Sequence, residues 1–368
     1  MILRGKNILL ISPEPWEHIF VSKHHYAVYL ARRNNNVYFL NPPSKINSVG
    51  RTKYEGVYSV QYTGFPRGLR FYPQFLIRRF IRSKFIDLER LCQTRFDIVW
   101  SFDNSVFFNF SALPDKTIAI SHIVDLNQDF QTATAASTAD ICFCTTEVIK
   151  NRLANFNSRC YKINHGFNSL ASSHAPVVLP GRSKVKVLYA GNLAMPFIDW
   201  SVLYDSVTEN PDVDFVFVGP DNIDRKSRNP FKREVLKAGN VFCTGRVASE
   251  ELQCYYKAAD ALIIAYQEPY HLDQANPHKM MEYLGSGKVV VATFTSEYER
   301  LESEGLIGMS RRNKEFPARL REVLANLQFW NDASKETLRR KYALDNSYDA
   351  QLERIQRLIG DNMLLSRV

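Results

Sequence analysis

The chain has 368 residues, 45% hydrophobic and 12% aromatic. That is enough for two packed cores of ordinary domain size and unlike a disordered polypeptide. Its 47 Lys and Arg against 38 Asp and Glu leave a net charge of +9, which favours anionic partners such as phosphates, acidic lipid surfaces or nucleic acid. No apolar run approaches the roughly 18 residues of a membrane-spanning helix. The six cysteines form neither a CxxC pair nor a zinc-like spacing with histidine, so they read as reduced thiols of a cytoplasmic protein, with no metal site.

The first stretch, MILRGKNILLIS, has too short an apolar part for a secretory signal and reads as a strand over Asn7–Ser12. A helix follows within His18–Arg33, with Ser22 as its predicted N-cap, then a strand over Val37–Leu40. Strand, helix and strand in about forty residues make a βαβ unit. Neither G-x-G-x-x-G nor a P-loop is present, which excludes those two nucleotide fingerprints. Lys23, His24 and His25 fall near the mouth after the first strand, where open α/β sheets bind ligands. The two histidines are candidates for acceptor contact, with packing as the alternative.

Between Arg67 and Lys84 there are six basic residues and no acid, interleaved with Phe71, Tyr72, Phe75 and Phe80. From Gln74 to Cys92, Ile77, Phe80, Ile81, Leu88 and Leu91 recur at helical spacing. Two readings coexist here: an apolar face packed on the sheet, and a basic face with Arg78, Arg79, Arg82 and Lys84 meeting anionic lipid head groups. No RNA or DNA module accompanies the segment, so no nucleic-acid partner is expected. Further strands are predicted at Phe96–Ser101, Thr117–Ile120 and Asp140–Thr145. Asp103 and Asp125 follow the first two of these.

Ser169–Ser183, rich in Ser, Pro and Gly, is the predicted linker between domains 1–175 and 182–345. Strand and helix alternation then restarts, with strands at Lys186–Ala190, Asp214–Val218, Val241–Thr244 and Asp260–Ile264. The most informative stretch is Asn276–Thr293, NPHKMMEYLGSGKVVVAT. Asn-Pro opens a turn, His278–Leu284 reads as a helix, Gly285-Ser-Gly287 ends it, and Val289–Ala292 is a buried strand. Lys279 lies in the first helical turn, where free N–H groups and the helix dipole already favour a phosphate. Glu282 sits three residues on, on nearly the same face, where a carboxylate can accept both hydrogen bonds of a ribose diol.

This stretch resembles the nucleotide-sugar signature of GT-B-fold glycosyltransferases, N-P-x-K-x-x-E-Y-L-A-x-G-K-P-V-V, in group 1 and xanthan-type glucuronosyltransferase-like members. The resemblance implies an α/β fold of two Rossmann-like domains facing a central cleft, with a last segment, 346–368, crossing back to the first domain. It implies donor contacts at Gly191, Asn192, Arg246, Tyr266, Asn276, Lys279, Met280 and Glu282, with Glu282 on the ribose and Lys279 near the phosphates. The loop after Gly191 lacks the cation many members carry there, which shifts phosphate neutralisation to Lys279, Arg246 or helix N-termini. The second glutamate of the retaining E-x7-E pattern is replaced by Gln274, which favours inversion. In some inverting members an aspartate after an N-domain strand is the base; by position Asp125 is the first choice, with Asp103, His122 and Asp129 as alternates.

The expected protein is therefore an inverting, metal-independent glycosyltransferase that needs no cofactor beyond its nucleotide-diphosphate sugar, by default a UDP-sugar. Its acceptor is a glycan or a lipid-linked molecule in polysaccharide or glycoconjugate synthesis. It is expected in the cytoplasm, with peripheral contact on the inner face of the membrane. A retaining transferase, a nucleotide-sugar epimerase and an inactive scaffold are the alternatives.

Overall fold

A computed structural model of the chain describes residues 2–125, 131–170, 175–220, 229–271 and 275–365. The chain divides into two compact units, Met1–His165 with Tyr348–Val368, and Gly166–Ser347. The break falls before the predicted linker because Phe167 already belongs to the second unit. Its ring packs so closely on Gly285 that a Cβ there would lie 2.2 Å away, and its amide bonds the Asn346 carbonyl.

The first unit holds β1 (Asn7–Ile11), β2 (Asn36–Leu40), β3 (Ser48–Arg51), β4 (Val57–Gln61), β5 (Ile98–Ser101), β6 (Ile118–Ile123), β7 (Ile141–Cys144) and β8 (Cys160–Lys162). They form one sheet in the order β3-β4-β2-β1-β5-β6-β7-β8. Among the described residues only the β3–β4 pair, at one edge of this sheet, is antiparallel. The central strands read as unbroken apolar runs because helices cover both faces of a parallel sheet. The helix Gln74–Cys92 covers one face, burying Ile77, Ile81, Phe85 and Leu88, while Arg78, Arg79 and Arg82 stay exposed. Lys84 is half-buried and donates to the Thr63 hydroxyl at 3.4 Å.

The terminal helix Tyr348–Leu365 belongs to this unit. Its anchor is Tyr348, fully buried and packed on His25, Tyr26 and Tyr29 with ring centroids 4.9, 5.1 and 5.3 Å away.

The second unit holds β9 (Val185–Ala190), β10 (Val213–Val218), β11 (Val241–Gly245), β12 (Ala261–Ile264), β13 (Val289–Thr293) and β14 (Ile307–Ser310). All pairs are parallel, in the order β11-β10-β9-β12-β13-β14. Renumbered from β9 this is 3-2-1-4-5-6, the dinucleotide-fold order. The winding reverses between β9 and β12, and in such sheets ligands bind beyond the strand ends at that point.

Candidate functional site

The second unit gathers its polar groups at that reversal. The β9 end is shaped by two glycines with positive φ, Gly191 at +151° and Gly219 at +145°. A Cβ on Gly219 would lie 2.0 Å from the Gly191 carbonyl oxygen, and one on Gly191 would lie 2.8 Å from the Lys279 ammonium. Neither position has room for a side chain, so backbone and Lys279 approach each other directly.

The helix His278–Ser286 supplies Lys279 and Glu282. It starts after Pro277 and ends at Gly287, which takes the left-handed cap at φ +89°. Gly285, predicted to help end it, is inside the helix; it is glycine because Phe167 lies on it. Met280, Met281, Tyr283 and Leu284 are buried in the core. The Met280 side chain thus packs the fold, which leaves only its backbone for a ligand.

Lys279 is half-buried, with its ammonium 4.0 Å from the Tyr189 ring centroid and 5.4 Å from that of Tyr266. Among the described residues it has no carboxylate partner. Burial pushes its pKa down to about 7. Glu282, half-buried one turn on, accepts from Gln253 Nε2 at 2.9 Å and from the Asn168 amide at 3.3 Å. Burial pushes its carboxyl up to about 7, against the pull of those two donors. A cation without a carboxylate partner among the described residues and a carboxylate with a perturbed pKa, one helical turn apart at a topological switch point, make this pair the candidate functional site of the second unit.

The other predicted donor residues are dispersed around this pair. Tyr266 is buried, packed edge-on against Phe197 at 4.7 Å. Asn276 Oδ1 accepts from the Tyr298 hydroxyl at 2.6 Å. Asn192 closes its own turn, accepting the Ala194 amide at 2.9 Å. Arg246 is exposed beyond β11, two strands from β9. The loop after Gly191 does receive a cation, from a distant segment. Lys232 is buried and donates from Nζ to the Leu193 carbonyl at 2.8 Å. Gln253, Asn168 and Lys232 are separated from their partners by 29 to 114 residues, so no local motif reveals them.

In the first unit, Asp125 is half-buried two residues beyond β6. Asp103 is engaged in its own turn, accepting from the Ser105 amide at 2.7 Å and hydroxyl at 2.5 Å. His122 is buried among Tyr26, Phe102 and Phe143, and its Nδ1 accepts from Trp100 Nε1 at 3.4 Å. Burial lowers its pKa to about 3, so it is a neutral packing residue rather than a base. His24 is likewise closed. Nδ1 accepts the Val21 amide at 3.3 Å and Nε2 meets the Pro15 carbonyl at 3.1 Å. It stands in for the capping-box residue of the helix Ser22–Ala31, whose N-cap is Val21 and not Ser22. No ring nitrogen of His24 remains for an acceptor. His25 is buried and stacked on Tyr348. Asp129 and Gln274 lie outside the described residues.

Residues 184–326 match the family Glycosyl transferases group 1. That segment, under half of the chain, is similar to a group 1 glycosyltransferase domain, and the fold is GT-B. The domain covers all six strands of the second unit and the helix with Lys279 and Glu282. TuaH of Bacillus subtilis (strain 168), named as a teichuronic acid biosynthesis glycosyltransferase, is 27% identical over 180 residues. That match spans 44% of each chain. Two solved structures have similar folds over nearly the whole length. Sucrose-phosphate synthase from Thermosynechococcus elongatus has a TM-score of 0.69 at 15% identity, covering 99% of this chain and 100% of that one. Anabaena Alr3699/HepE, in complex with UDP and glucose, has a TM-score of 0.65 at 12% identity, covering 96% and 99%.

Proposed function

We propose that the protein transfers a sugar from a nucleotide-diphosphate sugar, UDP-linked, to a glycan or lipid-linked acceptor with inversion at the anomeric carbon. The observation that carries this reading is the Lys279–Glu282 pair at the β9–β12 reversal. Glu282 accepts from the ribose diol, and Lys279 faces the diphosphate across the Gly191 turn. The UDP complex of the HepE relative and the teichuronic acid role in the name of TuaH support the donor and the polysaccharide setting.

In the reaction, the acceptor hydroxyl oxygen attacks the anomeric carbon while the bond from that carbon to the diphosphate oxygen breaks. The acceptor proton passes to Asp125, and the electron pair of the broken bond stays on the diphosphate, where Lys279 and backbone N–H groups stabilise it. No metal or organic cofactor enters this scheme. Asp125→Asn is expected to leave UDP binding intact and cut the transfer rate by about 10²–10⁴-fold. Radiolabelled UDP-sugar turnover checks the rate, and NMR of the product checks the anomer. A near-normal rate removes Asp125 from the mechanism, and a retained anomer removes inversion.

The exposed Phe71, Phe75, Arg78, Arg79 and Arg82 support peripheral attachment to an anionic membrane, on the cytoplasmic face where the nucleotide donor is available. Sedimentation with anionic vesicles at low salt, lost at high salt, is the expected behaviour; no sedimentation at low salt contradicts it.

A further inference from the structure

Of three buried tyrosines in the second unit, Tyr298, Tyr283 and Tyr189, the first two have satisfied hydroxyls. Tyr298 donates to Asn276 Oδ1 at 2.6 Å. The Tyr283 oxygen accepts the Ala190 amide at 2.7 Å. The third, Tyr189, is the penultimate residue of β9 and about 1% exposed, and its hydroxyl has no hydrogen-bond partner among the described residues. A buried hydroxyl without a partner costs stability that phenylalanine would avoid. Its setting gives the reason. A Cβ on Gly191 would lie 3.4 Å from the Tyr189 oxygen and 2.8 Å from the Lys279 ammonium. The free hydroxyl and the cation therefore converge on the same glycine, where a side chain has been excluded.

We propose that Tyr189 is a diphosphate contact of this site: its phenol donates to the diphosphate that Lys279 meets, and its ring cradles the ammonium. The inference rests on the nucleotide-sugar reading above. The physical logic is that of an anion site kept ready. A carboxylate beside Lys279 would hold the side chain but compete with the ligand; an aromatic face 4.0 Å away holds it while leaving its charge available. Burial raises the Tyr189 phenol well above its usual range, so it remains protonated and a donor at neutral pH. A hydrogen bond to a charged oxygen in such a place is among the stronger ones.

The test is titration of the wild type, Tyr189→Phe and Tyr189→Leu with UDP and with uridine, followed by ligand-observed NMR. Tyr189→Phe is expected to lose roughly tenfold in affinity for UDP, to bind uridine unchanged, and to melt no lower than the wild type. Tyr189→Leu, lacking the ring as well, is expected to lose a further few-fold for UDP alone. Unchanged UDP affinity in Tyr189→Phe overturns the contact. An equal loss for UDP and uridine, or a lowered melting temperature, makes Tyr189 a packing residue and overturns it too. A wild type that binds none of UDP, GDP and ADP rejects the nucleotide-sugar reading itself, an outcome distinct from the other two.

Discussion

The two units use the same architecture and treat the same place in it differently. Each winds a parallel sheet that reverses, between β1 and β5 in the first and between β9 and β12 in the second. At the first reversal the basic groups are satisfied internally, although the buried Tyr26 hydroxyl there also has no hydrogen-bond partner among the described residues. Lys23 is buried and paired with Glu14, and both nitrogens of His24 are bonded to backbone. At the second, Lys279 lies against two aromatic faces and the Gly191 turn with no carboxylate partner among the described residues, and Glu282 is pushed towards neutrality. The contrast teaches that fold supplies the location, while unmet electrostatic demand marks the place where a ligand completes the structure.

The comparison breaks most visibly if the first unit is loosened. Tyr348→Ala removes a fully buried ring from its contacts with His25, Tyr26 and Tyr29. It is expected to destabilise the first unit by about 3–5 kcal/mol in urea unfolding, while UDP still binds the second. Loss of UDP binding at temperatures where the second unit remains folded contradicts the separation.

A somewhat smaller effect follows from acid. His24 is buried as the neutral ring, with its pKa lowered from 6.5 to about 4 by burial. The unfolded chain takes up the proton first as pH falls, so stability present above about pH 6.5 is lost between 6.5 and 4. At about 1.4 kcal/mol per pH unit, the loss is on the order of 3 kcal/mol, and His122 acts in the same direction. Urea midpoints at pH 7, 5.5 and 4.5 measure it; a flat profile means the histidines titrate in the fold as they do in the unfolded chain, and contradicts their burial as neutral rings.

The smallest effect is also the sharpest for the second site. Glu282 must be ionised and Lys279 protonated for the proposed contacts, and each titrates near pH 7. UDP affinity is therefore expected to be bell-shaped in pH, falling on the acid side as Glu282 protonates and on the alkaline side as Lys279 loses its proton. Gln253→Leu removes the side-chain donor that lowers the Glu282 pKa, so the acid limb should move to higher pH. Lys279→Arg, charged throughout, should flatten the alkaline limb. Calorimetry across pH 5.5–9 reads both limbs, and an affinity independent of pH contradicts their assignment.

Much of this was legible in the chain itself, and particular residues show why. The helix at Gln74–Cys92 spans the stretch that its apolar spacing predicts, because one face of a helix on a sheet is a strong periodic signal. The Asn276–Thr293 segment was readable because turn, helix, cap and strand follow one another locally. β8 and β14 carry no such signal: CYK and IGMS are too short to carry a period. The fate of His24 was hidden for a different reason. A histidine after the first strand reads in sequence as a candidate for acceptor contact, and only the fold shows that its nitrogens serve Val21 and Pro15. Gln253, Asn168 and Tyr189 were invisible as site residues because their meaning comes from contacts made across the unit.

The central claim is that Glu282 and Lys279 form a nucleotide-diphosphate site, and calorimetric titration of the wild type and Glu282→Ala with UDP, GDP and ADP tests it most directly. The account predicts selective binding of UDP by the wild type, weakened in Glu282→Ala by about 1.5–3 kcal/mol, as for loss of charge-assisted hydrogen bonds. Equal affinity in the two proteins, or no binding of any nucleotide by the wild type, would contradict it.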